Sequence, residues 1–274
     1  MFSGYHFFDY KYSIPGYTGQ DYDGYPRIIY LVASIVLIFL LLVLFRKAKR
    51  ETVHRYLKVL GIFMIALYII KTTWESYFDI TISDGFNLGI LPFDTCSIIM
   101  WAGVLAGWGK GKIKTASECW LASGGVVGGI ANLLFLRALL YYPFFTFGAF
   151  YSMIWHFLMV FTGLWLLVTN YAESSFKTIL YGFIFHMIIS IPVIIFDYTW
   201  LQGQDFMLYT QASGIPLVSD WAATMISEGR AGFVPFMVAA CYFLSFALIV
   251  YASWGLKGLL HLIWKKTPAE DKIA

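Results

Sequence analysis

Two residues in this chain have side chains that can together open an ester. Cys96 lies in the stretch LPFDTCSIIM, and His156 follows sixty residues later in IWHFLMVFTGLW. An imidazole that takes the proton of a thiol leaves a thiolate, which attacks an acyl carbonyl and forms a thioester. Six other residues able to carry charge or move a proton stand in apolar surroundings: Lys71, Glu75, Asp94, Arg137, His186 and Asp197. Each is expensive to hold away from water, so each is a candidate for a site. A plainer reading competes at every position. Buried cysteine packs as a small hydrophobe, and a membrane histidine bonds a backbone carbonyl. Lys71 and Glu75, four apart on one helical face, satisfy each other as an ion pair. Arg137 can snorkel toward headgroups. Asp94, just after Pro92, suits the first turn of a helix, where the dipole favours a negative charge. His186 reads as structural or as support for the pair.

The elements that must position these side chains are membrane helices. A chain that is 59% hydrophobic and 13% charged exposes large apolar patches if it folds in water. Mainly apolar runs near 28–45, 59–78, 91–108, 119–140, 147–169, 176–196 and 233–255 have about the length needed to cross ~30 Å of hydrocarbon. The period-2 alternation of a barrel is absent, so the expected fold is all-α, a polytopic bundle of seven transmembrane helices. Six cations lie between Arg46 and Lys58, three in GKGKIK, one at Lys177 and four from Lys257 onward, against Lys11, Arg27 and Arg230 in the opposite loops. Short basic loops stay inside, which places the N-terminus outside and the C-terminus in the cytoplasm.

One integral membrane domain is expected over 1–274: an external aromatic cap over 1–27, the bundle over 28–255 and a cytoplasmic tail over 256–274. The candidate residues then gather in the outer half of the bilayer, in a polar pocket enclosed by helices 2 to 6 and buttressed by helices 1 and 7. Counting ~1.5 Å per residue from the predicted helix ends puts Cys96 ~6 Å and His156 ~13 Å below the outer boundary, a gap the pair must close. In the segment 197–232, SDWAATMISEG predicts a short helix capped by Ser219 or Asp220, with Trp221 and Met225 on one face. It would serve as a lid or as plain interfacial cover.

A net charge of +3 is too small to indicate a nucleic-acid partner. Cys96, Cys119 and Cys241 supply neither a disulfide framework nor a CxxC metal site, and the last two read as packing residues. The N-terminus lacks the basic and apolar regions of a cleavable signal. No metal or other cofactor is implied.

At LPFDTCSII, ANLLFLRALLYYPFF and IWHFLMVFTGLW the chain resembles the YwaF-like family of bacterial integral membrane proteins. That family is related to the eukaryotic TMEM-type ether-phospholipid acyltransferase and, more distantly, to the androgen-induced hydrolases of fatty-acid esters. The likeness covers roughly 60–200. It rests on an acidic residue late in helix 2 (Glu75), a Leu-Pro-x-x-x-Cys start to helix 3 (Leu91, Pro92, Cys96) and a histidine in helix 5 (His156). The resemblance implies a six- or seven-helix bundle in a bacterial plasma membrane, Cys96 as nucleophile, His156 as base, and a membrane phospholipid or other fatty-acyl lipid as donor. The chain departs from the family at Asp94, where members carry histidine; an acid there opposes thiolate formation unless it orients His156.

Three functions follow. The first is a lipid acyltransferase or hydrolase, with helix-end amides holding the oxyanion. The second is a transporter or solute-binding bundle with a charged vestibule of Lys71, Glu75, Asp94, Arg137 and Asp197, though the inverted repeat of such folds is missing. The third is a non-catalytic subunit packed against membrane-protein partners, for which Gly124, Gly125, Gly128 and Gly129 offer the small-residue spacing of a close helix contact.

Overall fold

In hydrocarbon every backbone N–H and C=O must be satisfied within its own segment, and the apolar runs of this chain meet that demand as helices. The computed structural model describes residues 6–10, 13–14, 17, 25–82, 91–135, 142–200, 205–212, 215 and 218–265, and every regular element among them is helical. In chain order these are α1 (Tyr25–Phe45), α2 (Arg50–Ile82), α3 (Ile98–Trp108), α4 (Gly111–Trp120), α5 (Val126–Phe135), α6 (Phe147–Val168), α7 (Phe176–Thr199), α8 (Val218–Ser227) and α9 (Val234–Lys265). α4 and α5 form one rod, joined by the π-helical stretch Leu121–Gly125. Among the described residues six helices are long and apolar enough to cross a membrane: Tyr25–Phe45, Arg50–Phe78, Gly111–Phe135, Phe147–Val168, Phe176–Thr199 and Ala231–Leu262.

The third expected crossing is shorter than the other six. Its helical part, Thr95–Trp108, covers only about 20 Å at ~1.5 Å per residue, well under a ~30 Å core. It opens as a 3₁₀ turn over Thr95–Ser97 before α3 begins. Pro92 therefore lies ahead of the helix rather than in its first turn, in a tight bend where Phe93 N–H donates to the Leu91 carbonyl at 2.8 Å. The 28–45, 147–169 and 176–196 runs match their helices closely, whereas α2 and α4 begin inside the basic segments read as loops.

Glycine sets the closest approaches. A methyl group on Gly107 would lie 2.7 Å from the Lys58 Cα, and one on Gly61 would lie 2.5 Å from the Val104 nitrogen. Backbone of α2 and α3 thus meets backbone, which only small residues allow. The π-helical stretch sits at the centre, with Gly163 of α6 against the Leu121 carbonyl and Gly182 of α7 against Ser123 Oγ. Gly124, Gly128 and Gly129 face Trp120, Met159 and Val160. The glycine-rich face is thus occupied by packing within the chain.

α1 packs on α6, and Trp165 Nε1 donates to the Phe45 carbonyl at 2.8 Å. It is the buttress that was expected, but α9 is more than one, because its Tyr242 reaches the candidate site. The basic turns share one end of the bundle. There Arg50 lies over the Tyr171 ring at 4.5 Å, and Lys257 Nζ donates to Asn170 Oδ1 and Ser174 Oγ, each at 2.7 Å. At the other end, α8 forms within SDWAATMISEG but starts at Val218, so Asp220 lies in its first turn instead of capping it. Trp221 and Met225 pack on the core as one face.

Candidate functional site

The second half of α2 supplies the charged part of the site. Lys71 and Glu75 form an i,i+4 ion pair with side chains only 12% and 4% exposed. The Tyr142 hydroxyl donates to Glu75 Oε1 at 2.5 Å, and the Lys71 ammonium lies 5.7 Å from the Tyr151 ring centroid and 6.0 Å from that of Tyr68. A cation in this box keeps a carboxylate and aromatic faces in place of water. The N-terminal aromatic residues cover it. Tyr17 donates to the Tyr142 carbonyl at 2.8 Å, Trp74 Nε1 to the Phe8 carbonyl at 3.1 Å, and Tyr10 packs on Trp74, Phe78 and Tyr142.

The shortened third pass supplies the thiol. Trp155 Nε1 donates to the Cys96 carbonyl at 3.1 Å, which fixes Cys96 at the level of residue 155. That level is eight residues into α6, or about 12 Å below its start at ~1.5 Å per residue. The turn is thus tied to α6 through the residue next to His156. Leu91 through Cys96 are half-buried, whereas Ser97–Met100, Trp155 and His156 are buried.

Asp94 takes the N-cap position of the 3₁₀ turn, yet its side chain makes no capping hydrogen bond. Its carboxylate instead lies within electrostatic reach of Lys71, Asp197 and Glu75. Lys71 and Asp94 also act on Cys96. Lys71, Glu75, Asp94, Cys96 and Asp197 are therefore brought to one place.

His156 is buried on α6, with Nδ1 2.7 Å from the Ser152 carbonyl. A carbonyl only accepts, so Nδ1 carries the proton and Nε2 the lone pair. Among the described residues the two candidates have different partners: Cys96 is joined to Trp155, and His156 to Ser152. Residues 155 and 156 point about 100° apart around the helix. His186 is further off. Its Nε2 lies 3.1 Å from the Tyr209 hydroxyl, its ring 4.4 Å from that of Tyr242, and Tyr242 OH is 2.9 Å from Thr95 Oγ1. It stands behind the site, two contacts from Cys96. Arg137 lies outside the described residues. Cys119 is buried and Cys241 half-buried, and neither is in a disulfide.

Sequence reasoning missed the uncharged members. Asp197 Oδ2 accepts from Phe206 N–H at 3.1 Å and so pins a connecting segment whose Phe206, Met207 and Tyr209 are buried in the bundle. Phe93 meets Phe196 and Phe206 at 5.5 and 5.6 Å, closing the site from that side. In a chain with 19 tyrosines and 10 tryptophans, nothing singles out Tyr142, Tyr151, Trp155, Tyr209 or Tyr242. One usable signal was the i,i+4 spacing of Tyr151 and Trp155, which places both on one face of α6.

A family model, that of the TMEM164 family, matches residues 22–257 and so takes in every crossing segment in whole or in large part. It names the transmembrane family, the coarser of the relationships that the motifs suggested. No curated protein and no solved structure matches the chain.

Proposed function

The chain belongs to the TMEM164 family, a transmembrane protein family, and from that premise we propose a membrane-embedded enzyme that transfers or hydrolyses the acyl group of a lipid. One observation supports the reading: Trp155, the residue before His156, donates to the Cys96 carbonyl, and His156 Nδ1 is already spent on the Ser152 carbonyl. In this reading His156 Nε2 takes the thiol proton and Cys96 Sγ attacks the lipid ester carbonyl. The tetrahedral oxyanion is held by N–H groups at the start of the third helix. Collapse breaks the acyl C–O bond, His156 returns the proton to the departing alcohol, and a Cys96 thioester remains. A lysolipid hydroxyl then takes the acyl group, or water does, by the same steps in reverse order.

Lys71 and the helix N-terminus are the positive charges facing the thiolate, and Asp94 opposes them. With the basic turns in the cytoplasm, as the positive-inside rule asks, the site lies in the outer half of the bilayer. A solute-binding vestibule is less well supported, since Glu75 and Tyr142 already occupy the Lys71–Glu75 charges. The relation to YwaF-like bacterial proteins belongs to this same reading.

The test is acyl labelling of detergent-purified protein by a phospholipid with a labelled chain. Wild type should acquire a hydroxylamine-sensitive label. Cys96→Ala should acquire none, and His156→Gln should acquire it about 10²–10⁴ times more slowly, both with unchanged thermal midpoints. Labelling of Cys96→Ala at the wild-type rate overturns the proposal.

A further inference from the structure

α6 has a second flank, facing away from Trp155 and His156. Between it and α1 lies an open cavity of about 900 Å³, bordered by Tyr30, Ala33, Leu37, Phe145, Met153 and Phe157. Its size falls within the range of about 300–1,000 Å³ typical of small-molecule sites. On α1 it runs from Pro26 to Leu37, about 16 Å at ~1.5 Å per residue. That is one leaflet's share of a ~30 Å hydrocarbon core.

Three features set it apart from a plain lipid-facing surface. The Tyr30 hydroxyl is buried, and Ser34, one turn on, is its polar neighbour, too poorly placed for a well-formed hydrogen bond. A buried hydroxyl with so weak a partner gains from an acceptor arriving with a ligand. Phe145, on the rim, is held at φ 62°, a conformation strained for a bulky residue and common at ligand clamps. Arg27, one residue from the end of the groove, is exposed and gives one guanidinium N–H to the Leu134 carbonyl at 2.6 Å. Its guanidinium places a positive charge at that end of the groove.

We propose that this groove binds one diacyl phospholipid of the leaflet nearest the start of α1. The phosphate pairs with Arg27, an ester carbonyl accepts from Tyr30 about one turn deeper, and the acyl chain lies along Ala33, Leu37, Met153 and Phe157. The groove and the Cys96 turn flank α6 on different sides, so the lipid is a resident ligand and its binding is independent of the acyl-transfer reading.

The experiment uses the full chain in phosphatidylcholine bilayers, with phosphatidylglycerol carrying a photoreactive group midway along one acyl chain as the probe. Cross-linked peptides should fall on α1 and α6 near Leu37 and Phe157. Ala33→Trp, which fills the groove from a lipid-facing position, should abolish that cross-link. Tyr30→Phe should lower its yield about threefold, the weight of one neutral hydrogen bond, and Arg27→Gln should remove any preference for the anionic probe over a zwitterionic one. Cross-links spread evenly over α1, α7 and α9, or unchanged in Ala33→Trp, overturn the proposal. Persistence of the cross-link in Cys96→Ala is expected and separates this binding from the chemistry.

Discussion

Two ion pairs with the same i,i+4 spacing sit at opposite ends of the bundle and live in different surroundings. Lys71–Glu75 is 12% and 4% exposed, and its carboxylate also accepts from the Tyr142 phenol. Lys114–Glu118 is longer, at 3.8 Å, and 29% and 10% exposed. Its lysine lies 3.5 Å from His54 Nδ1, and Glu118 feels Arg50 as well as Lys114. Tyr171 stands beside it, where burial and the Glu118 carboxylate hold its phenol above the usual tyrosine range. One end thus encloses its pair within aromatic rings, with Asp94 as a second carboxylate in reach of the lysine, while the other spreads a carboxylate among several cations near water. Spacing alone makes the two pairs look alike; the third partner distinguishes them.

The largest effect should come from unbalancing the enclosed pair. Glu75→Leu removes the ion-pair partner of a buried ammonium and leaves it only the more distant Asp94; breaking a buried pair costs about 3–5 kcal/mol. Thermal unfolding in detergent should show a steep loss of midpoint, largely recovered by the double change Lys71→Met with Glu75→Leu. Glu118→Leu should cost only about 1 kcal/mol, because Lys114 reaches water. Equal losses at the two ends would break the comparison.

The phenols give a smaller contrast. Tyr142→Phe removes a hydrogen bond to a charged acceptor, worth about 1.5–3 kcal/mol. Tyr171→Phe should lose less than about 1 kcal/mol, since the cations around Glu118 remain. Both are read as shifts of the same thermal midpoint. A larger loss at Tyr171 would mean that the basic end, not the pocket end, depends on its third partner.

How far these contrasts were legible in the sequence follows from what each depends on. Hydropathy located the crossing segments because lipid leaves the backbone no alternative to a helix. It misjudged the third run: Leu91–Ser97 is as apolar as a helix start, but Pro92 and the bend at Phe93 delay the first turn. Lys71, Glu75, Asp94, Cys96 and Asp197 were readable as neighbours since charge at depth is costly and must collect somewhere. Tyr142 was not, because it reaches Glu75 from 67 residues away with an uncharged side chain that is ordinary in this composition. The buried segment around Tyr209 was hidden for the same reason: a polar, glycine-flanked stretch reads as an exterior loop, and contacts with Asp197, His186, Phe93 and Tyr242 turn it inward.

A third pair completes the series on a single variable. Glu51 and Arg55 open α2 with the same spacing, but their side chains are 71% and 73% exposed. Water and salt screen such a pair, and two long side chains lose freedom in making it, so a surface contact of this kind contributes little. Arg55→Gln should leave the thermal midpoint within measurement error, and raising the salt concentration should not separate it from wild type. Glu51–Arg55 and Lys71–Glu75 share one helix and one spacing, and Glu51–Arg55 has the more favourable order of acid before base, so a smaller effect there is due to its surroundings. A substantial loss in Arg55→Gln would show that the basic end draws stability from its charges as well, and that burial is not what grades the three pairs.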